Sequence, residues 1–160
     1  MKNYRSAEKA LKMGVENIIV LHHNIISKNF PSDHENMEEY YKLALDCADS
    51  IIENGISIGI PEVSITEALE EYDAIPAKTY PKVEAYTLVQ EMFNRIIVLL
   101  DEAKVEEGVP DYIKNLIEEW QQKFDLEANY KIAHLLAAER EAETEWKCIL
   151  NIMELAGLQS

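Results

Sequence analysis

Two histidines, His22 and His34, stand on either side of a short turn at residues 29–32 that separates two helical patterns. Two carboxylates, Asp49 and Glu53, follow in the second pattern; they are four residues apart and so project from one face of a helix. Imidazoles and carboxylates together suit iron, zinc or manganese. This stretch therefore predicts a metal-binding site.

The separation of these groups along the second helix limits how they can meet. If residues 32–55 form one straight helix, His34 and Asp49 are roughly 22 Å apart along its axis, at about 1.5 Å per residue. They cannot share a metal ion within one chain. In a two-fold dimer whose second helices pack antiparallel, the histidines of each copy would lie near the carboxylates of the other, which gives two equivalent sites. The sequence thus predicts a site built between subunits.

Length and charge exclude several classes of protein. The 160 residues suit one domain, and no apolar run approaches the ~20 residues that span a membrane. The first thirteen residues lack the apolar segment of a signal peptide, so we expect a cytoplasmic protein with no membrane partner. The net charge of −15 makes nucleic acid an unlikely partner and favours the attraction of cations. Cys47 and Cys148 lack metal-type spacing and are predicted to be reduced packing residues.

Apolar spacing predicts an all-α fold with four long helices. The first is expected over residues 4–27 and the second from Ser32 or Asp33 to about residue 55, opened by a capping box of Ser32 and Glu35. The third is expected over residues 83–107, and the fourth from residue 110 or 111. The predicted buried positions include Ile26 in the first helix and Tyr130 in the fourth.

The C-terminal part of the chain stays helical in character as far as residue 156. A single helix over residues 110–156 would be roughly 70 Å long, about twice the length of the others. We therefore expect a break near residues 138–142 and a separate fifth helix after it.

A connection of about thirty residues, 56–86, joins the second and third helices. It contains one short helix, residues 65–72, opened by a capping box of Ser64 and Glu67. A connection of this length lets the chain cross the whole bundle, so that the second and third helices run parallel. That is the topology of ferritin-like four-helix bundles.

The spacing of the candidate ligands resembles that of the Dps family, which belongs to the ferritin-like superfamily. In that family a histidine of the first helix is followed by a second histidine after twelve residues, an aspartate after fifteen more and a glutamate after a further four. His22, His34, Asp49 and Glu53 reproduce all three intervals. Glu38 stands where the family often has another acidic residue.

The resemblance covers residues 5–137. It implies a ferritin-like bundle over residues 1–137, with residues 138–160 as a C-terminal helical extension of the same domain. The family usually has tryptophan and glycine where this chain has His23 and Ser27. Family members that bind DNA commonly use a basic tail, whereas the start of this chain offers only Lys2 and Arg5.

The same resemblance implies an activity. It predicts a ferroxidase that oxidises Fe(II) with hydrogen peroxide or oxygen at di-iron sites shared by two subunits, which zinc or manganese could also occupy. Ferric mineral would be stored in a hollow shell, a dodecamer of two-fold dimers, as protection against oxidative damage. The implied catalytic and metal residues are His22, His34, Asp49 and Glu53, with Glu38 as an additional metal ligand.

Two other interpretations remain open. The chain could be a non-catalytic ferritin-like assembly protein with a structural or vestigial metal site, whose acidic surface and C-terminal helix bind partners. A DNA-compacting protein without ferroxidase activity is a third interpretation, which the charge disfavours. His134, late in the fourth helix, is interpreted as structural or exposed.

Overall fold

The computed structural model describes residues 1–158 and is predominantly helical, which confirms the predicted all-α class. No helix among these residues is both long and apolar enough to cross a membrane. The elements in chain order are α1 (Lys2–Asn24), β1 (Ile25–Ile26), α2 (Phe30–Ser57), α3 (Ile65–Glu71), β2 (Tyr80–Pro81), α4 (Lys82–Lys104), α5 (Asp111–Asp125), a π-helical segment (Leu126–Ile132) and α6 (Ala133–Leu155).

Contacts at the two ends of the bundle define the directions of the long helices. At one end, the Tyr4 hydroxyl at the start of α1 donates to the Ile51 carbonyl near the end of α2, at 2.5 Å. Glu106, just beyond α4, accepts the Tyr4 backbone N–H at 2.9 Å. At the other end, the Tyr86 hydroxyl near the start of α4 donates to Asp33 near the start of α2, at 2.6 Å. Helices α2 and α4 therefore run in one direction and α1 in the opposite one.

The connection between α2 and α4 crosses the bundle along α1. Helix α3 begins with the predicted capping box, in which the Glu67 backbone N–H donates to Ser64 Oγ and the Ser64 backbone N–H donates to the Glu67 carboxylate. Ion pairs with Arg5 and Lys9 hold α3 against α1. Strand β2 then pairs in parallel with β1, which brings the chain to the start of α4.

Buried side chains from α1, α2, α4 and α5 form one core. Phe93 lies at its centre, with its ring edge-on to Tyr40 at 5.8 Å and to Phe124 at 4.9 Å. Near the Tyr4 end of the core, α2 approaches α1 so closely that a Cβ atom at Gly55 would lie 2.7 Å from Tyr4 Cε1. The approach of the two helices therefore requires a glycine.

Gly55→Ala should destabilise the protein although alanine is the better helix former. The new methyl group must displace a buried tyrosine ring, and such overpacking costs typically about 1–3 kcal/mol in free energy of unfolding. Gly14→Ala is the matched control, because a Cβ there meets only Ile96 Cδ1 at 3.5 Å, an ordinary contact. We expect the control to be neutral or stabilising by up to about 1 kcal/mol in denaturant unfolding. Equal effects of the two substitutions would contradict the close packing of Gly55.

Several predicted helix boundaries are wrong. Helix α1 ends at Asn24 rather than residue 27, because the next two residues pair with β2. Helix α2 begins at Phe30, so Ser32 already lies in its first turn and no side-chain capping bond forms. It continues to Ser57 because Gly59, not Gly55, adopts the positive φ, 87°, that ends a helix. Helix α4 ends at Lys104, before the predicted residue 107.

The predicted break at residues 138–142 is also wrong. The helix is irregular earlier, in the π-helical segment Leu126–Ile132, and α6 then continues without interruption to Leu155. A π turn adds a residue and so rotates the side chains that follow relative to a regular α-helix. Tyr130, predicted to be buried, is 58% exposed, as is Ile26 at 55%. Beyond Leu136 no residue of α6 is buried.

Candidate metal centre

The two predicted histidines lie together at the corner between α1 and α2. His22 belongs to the last turn of α1 and His34 to the beginning of α2. Their rings are stacked, with centroids 3.8 Å apart and planes inclined by 22°. The structure therefore brings the two imidazoles together within one chain.

Each histidine holds the backbone of the other. His22 Nδ1 lies 2.9 Å from the His34 carbonyl oxygen, and His34 Nδ1 lies 2.8 Å from the His22 carbonyl oxygen. A carbonyl oxygen can only accept, so both Nδ1 atoms carry hydrogen and donate. In a neutral imidazole this leaves the Nε2 lone pair free. Histidine ligands of metals are commonly oriented in this way, by an N–H···O=C bond from the other ring nitrogen.

A buried acidic residue fixes the corner on which the pair depends. Asp33 accepts hydrogen bonds from the hydroxyls of Ser27 and Tyr86, and Lys82 Nζ lies 3.5 Å from the same carboxylate. Lys82 also pairs with Glu139 of α6 at 3.2 Å. The charge of Asp33 is thus compensated by three partners, and the residue next to His34 is held in place.

Aromatic side chains surround the histidine pair. Phe30 stacks on His34 at 5.1 Å, and Tyr41 meets His22 edge-on at 5.4 Å. His23, which replaces the tryptophan usual in the family that the sequence resembles, lies 5.2 Å from His22. The imidazoles are consequently half-buried beside a largely apolar wall.

Glu38 lies one turn beyond His34 on α2. A hydrogen bond from Lys42 and the charge of that lysine hold the pKa of Glu38 below its usual value, and the two imidazoles act in the same direction. The carboxylate is therefore ionised at neutral pH. A metal ion held by His22 and His34 would have this negative charge nearby.

Asp49 and Glu53 lie elsewhere. Helix α2 is continuous, so Asp49 is roughly 22 Å from His34 at about 1.5 Å per residue. Among residues 1–158 no group of three or more His, Cys, Asp and Glu side chains is placed to hold a metal ion. The structure thus brings His22 and His34 together, with Glu38 one helical turn beyond them, and leaves the two carboxylates of Asp49 and Glu53 exposed at a distance.

Asp49 lines a cleft of about 520 Å³ between α1, α2 and the segment around α3. Leu45 (43%) and Ile65 line the cleft and are exposed. Ile56 of α2 and Leu69 of α3 are exposed as well. Five side chains of α2 are spaced four or seven residues apart and therefore lie on one stripe of the outward face of that helix: His34, Glu38, Leu45, Asp49 and Ile56. A clustered exposed apolar surface of this kind is typical of protein–protein contact.

Other residues differ in part from expectation. Cys47 is buried as predicted, whereas Cys148 is exposed on α6 and is no packing residue. His134 is exposed, with Nδ1 2.7 Å from the Tyr130 carbonyl. Sequence reasoning missed Asp33 and Tyr86, because periodicity cannot identify a buried acidic residue whose partners come from another helix.

Comparisons with known proteins found no matching family model, curated protein or solved structure. The resemblance to the Dps family therefore rests on the sequence itself, above all on the spacing of the candidate ligands.

Proposed function

We propose that the chain is a Dps-like ferroxidase and iron-storage protein with a ferritin-like fold. It oxidises Fe(II) with hydrogen peroxide or oxygen at di-iron sites between two subunits. It stores the ferric product as mineral in a hollow shell of twelve subunits in the cytoplasm, which protects against oxidative damage. The observation that carries this proposal is the reciprocal hydrogen bonding of His22 and His34, which leaves both Nε2 atoms free to bind metal.

A two-fold axis across α2 supplies the missing ligands. If two copies of α2 pack antiparallel, an axis midway between His34 and the Asp49–Glu53 pair crosses the helix between Tyr41 and Leu45. Leu45 is exposed on the same stripe and would lie in the buried centre of that contact. The pairing thus covers an apolar surface and assembles two equivalent sites.

The residues then have separate roles. Fe(II) is the substrate, and His22 and His34 bind it through Nε2, while Glu38 supplies or orients a further oxygen ligand. Asp49 and Glu53 of the partner subunit contribute anionic oxygens that can bridge two ions. The oxidant takes the electrons that Fe(II) loses. The net charge of −15 raises the local concentration of the cationic substrate.

The combined substitution of His22→Ala and His34→Ala should abolish rapid Fe(II) oxidation. Without imidazole nitrogen, each site keeps only carboxylates, and we expect the initial rate of ferric absorbance after addition of Fe(II) to fall at least about 100-fold. His134→Ala is the matched control, because that histidine is exposed on α6 and lies outside the stacked pair. Unchanged kinetics in the double variant would overturn the assignment of these ligands.

Leu45→Glu should dissociate the assembly. A charge placed at the centre of a two-fold apolar contact meets its own copy and loses hydration, so light scattering should report a smaller species. Val105→Glu introduces the same charge at another exposed apolar position, just beyond α4, and should leave the mass unchanged. A monomeric wild-type protein at micromolar concentration would contradict the shared site itself.

One observation favours the non-catalytic assembly protein as a second candidate. Helix α6 exposes Trp146, Ile149 and Ile152, and nothing in residues 1–158 covers them. A partner-binding role for α6 would account for that surface. Fe(II) addition separates the candidates, since the assembly protein would keep its size and yet oxidise Fe(II) no faster than buffer.

A further inference from the structure

A second cleft, of about 460 Å³, lies between α1, α4 and the chain that leaves α3, and it shares no residue with the candidate metal centre. Leu88 and Met92 of α4 are half-buried and form its apolar floor. Tyr72 and Asp73 form one wall. The volume is within the range of sites that bind small molecules, about 300–1,000 Å³.

A buried amide holds this wall in position. Asn17 of α1 is 7% exposed; its Nδ2 donates to the Asp73 carbonyl at 3.1 Å and its Oδ1 accepts the Ile75 backbone N–H at 3.0 Å. Both polar ends of the side chain are therefore satisfied by the backbone of the wall. The cleft is formed before any ligand binds.

The charged groups of the cleft are not neutralised by one another. The Arg95 guanidinium lies 5.5 Å from the centre of the Tyr72 ring and makes no ion pair with any carboxylate of residues 1–158. Glu91 is four residues earlier on α4, a spacing that favours pairing, yet it and Asp73 likewise have no cationic partner within that range. The remaining carboxylate of the cleft, Glu71, is already paired with Lys9 and accepts from Ser6. One cation and two anions without an ion-pair partner among residues 1–158 thus line the cleft.

We propose that this cleft binds a small zwitterion with two ammonium groups and one carboxylate, the charge pattern of a basic amino acid. Arg95 binds the carboxylate, because a guanidinium matches its two oxygens. Asp73 and Glu91 bind the two ammonium groups, and the methylene chain lies on Leu88 and Met92. The charges of such a ligand are the inverse of the unpaired charges in the cleft.

Free lysine is the probe, and two analogues test each part of the recognition. Norleucine lacks the side-chain ammonium and cadaverine lacks the carboxylate. In saturation-transfer NMR and calorimetry on the intact protein, lysine should bind saturably, and each analogue at least about tenfold more weakly, as expected for loss of a charged hydrogen bond. Absence of saturable lysine binding, or equal binding of all three compounds, would overturn the proposal.

Substitutions locate the site. Arg95→Gln should weaken lysine about tenfold and leave cadaverine unchanged, whereas Glu91→Gln should weaken both. Glu102→Gln, an exposed glutamate farther along α4, is the control and should alter neither. If Arg95→Gln leaves lysine affinity intact, the cleft is not the binding site. Fe(II) oxidation is expected to be unaffected by all three variants, so this test and that of the proposed function fail independently.

Discussion

Mixed assembly of two inactive variants should restore Fe(II) oxidation. One variant carries His22→Ala with His34→Ala, and the other carries Asp49→Ala with Glu53→Ala. In a dimer of one chain of each kind, one site lacks both histidines and both partner carboxylates and keeps only Glu38. The other site joins the intact histidines of one chain to the intact carboxylates of its partner. Such a dimer should show about half of the wild-type activity, because one of its two equivalent sites is complete.

The measurement requires co-expression with two different affinity tags, so that only assemblies containing both variants are purified. Random pairing of equal amounts makes about half of the dimers mixed, so about a quarter of the wild-type activity is expected in captured larger assemblies. As the control, one inactive variant is co-expressed in two copies that carry the two different tags, and the doubly purified assembly should stay inactive. Persistent inactivity of well-folded mixed assemblies would show that the ligands do not come from two chains in this way.

Glu8→Gln should change the pH dependence of stability more than any other single substitution of an acidic residue. Glu8 is fully buried on α1 beside Tyr4, and neither carboxyl oxygen has a hydrogen-bond partner among residues 1–158. Burial raises the pKa of Glu8 to about 7, against the opposing charges of Arg5 and Lys12. The backbone N–H of Val63 also opposes the increase in pKa, although neither carboxyl oxygen of Glu8 makes a hydrogen bond with it.

The direction of the effect follows from the protons bound in each state. Between pH 4.5, the usual pKa of this group, and about pH 7, the folded protein holds a proton that the unfolded chain releases. The contribution of Glu8 to the free energy of unfolding is therefore complete below pH 4.5 and is lost as the pH rises to about 7. The loss amounts to roughly 3 kcal/mol, at about 1.4 kcal/mol per pKa unit.

The glutamine variant has no proton to lose, so its stability should fall by roughly 3 kcal/mol less than that of the wild type between pH 5 and pH 8. Urea unfolding at several pH values measures this difference. Glu119→Gln, at an exposed position of α5, should leave the wild-type slope unchanged. Parallel pH profiles of Glu8→Gln and wild type would mean that Glu8 is solvated or paired in solution.

The predictable parts of this protein are those governed by local chemistry. The α3 capping box was predictable because Ser64 and Glu67 satisfy each other within one turn. The start of α2 was not, because Pro31 and the fit of Asp33 to Tyr86 of α4 decide where that helix begins. The register of the chain after Asp125 depends on a π-helical segment that apolar spacing does not indicate.

The same distinction applies to the candidate centre. That His34 and Asp49 are far apart follows from helix geometry alone, and the continuous α2 agrees with it. The stacking of His22 on His34 depends on the exact path of the turn between them, which sequence spacing leaves open. The surface of another copy that meets Asp49 and Glu53 depends on contacts between chains, which residue spacing within one chain does not encode.

The reciprocal bonds and the stacking between His22 and His34 couple the contributions of the two residues to the free energy of unfolding. Replacing either histidine takes the donor from the carbonyl of the other, whereas its own carbonyl still accepts from the remaining ring. Either substitution also removes the stacking of the two rings, which can be lost only once. The free-energy changes of the two single substitutions should therefore sum to more than that of the double substitution, with a coupling of about 0.5–3 kcal/mol. The pair that presents nitrogen to a metal ion thus also joins the end of α1 to the beginning of α2. Selection for a metal ligand at either position would therefore also be selection for the stability of this corner.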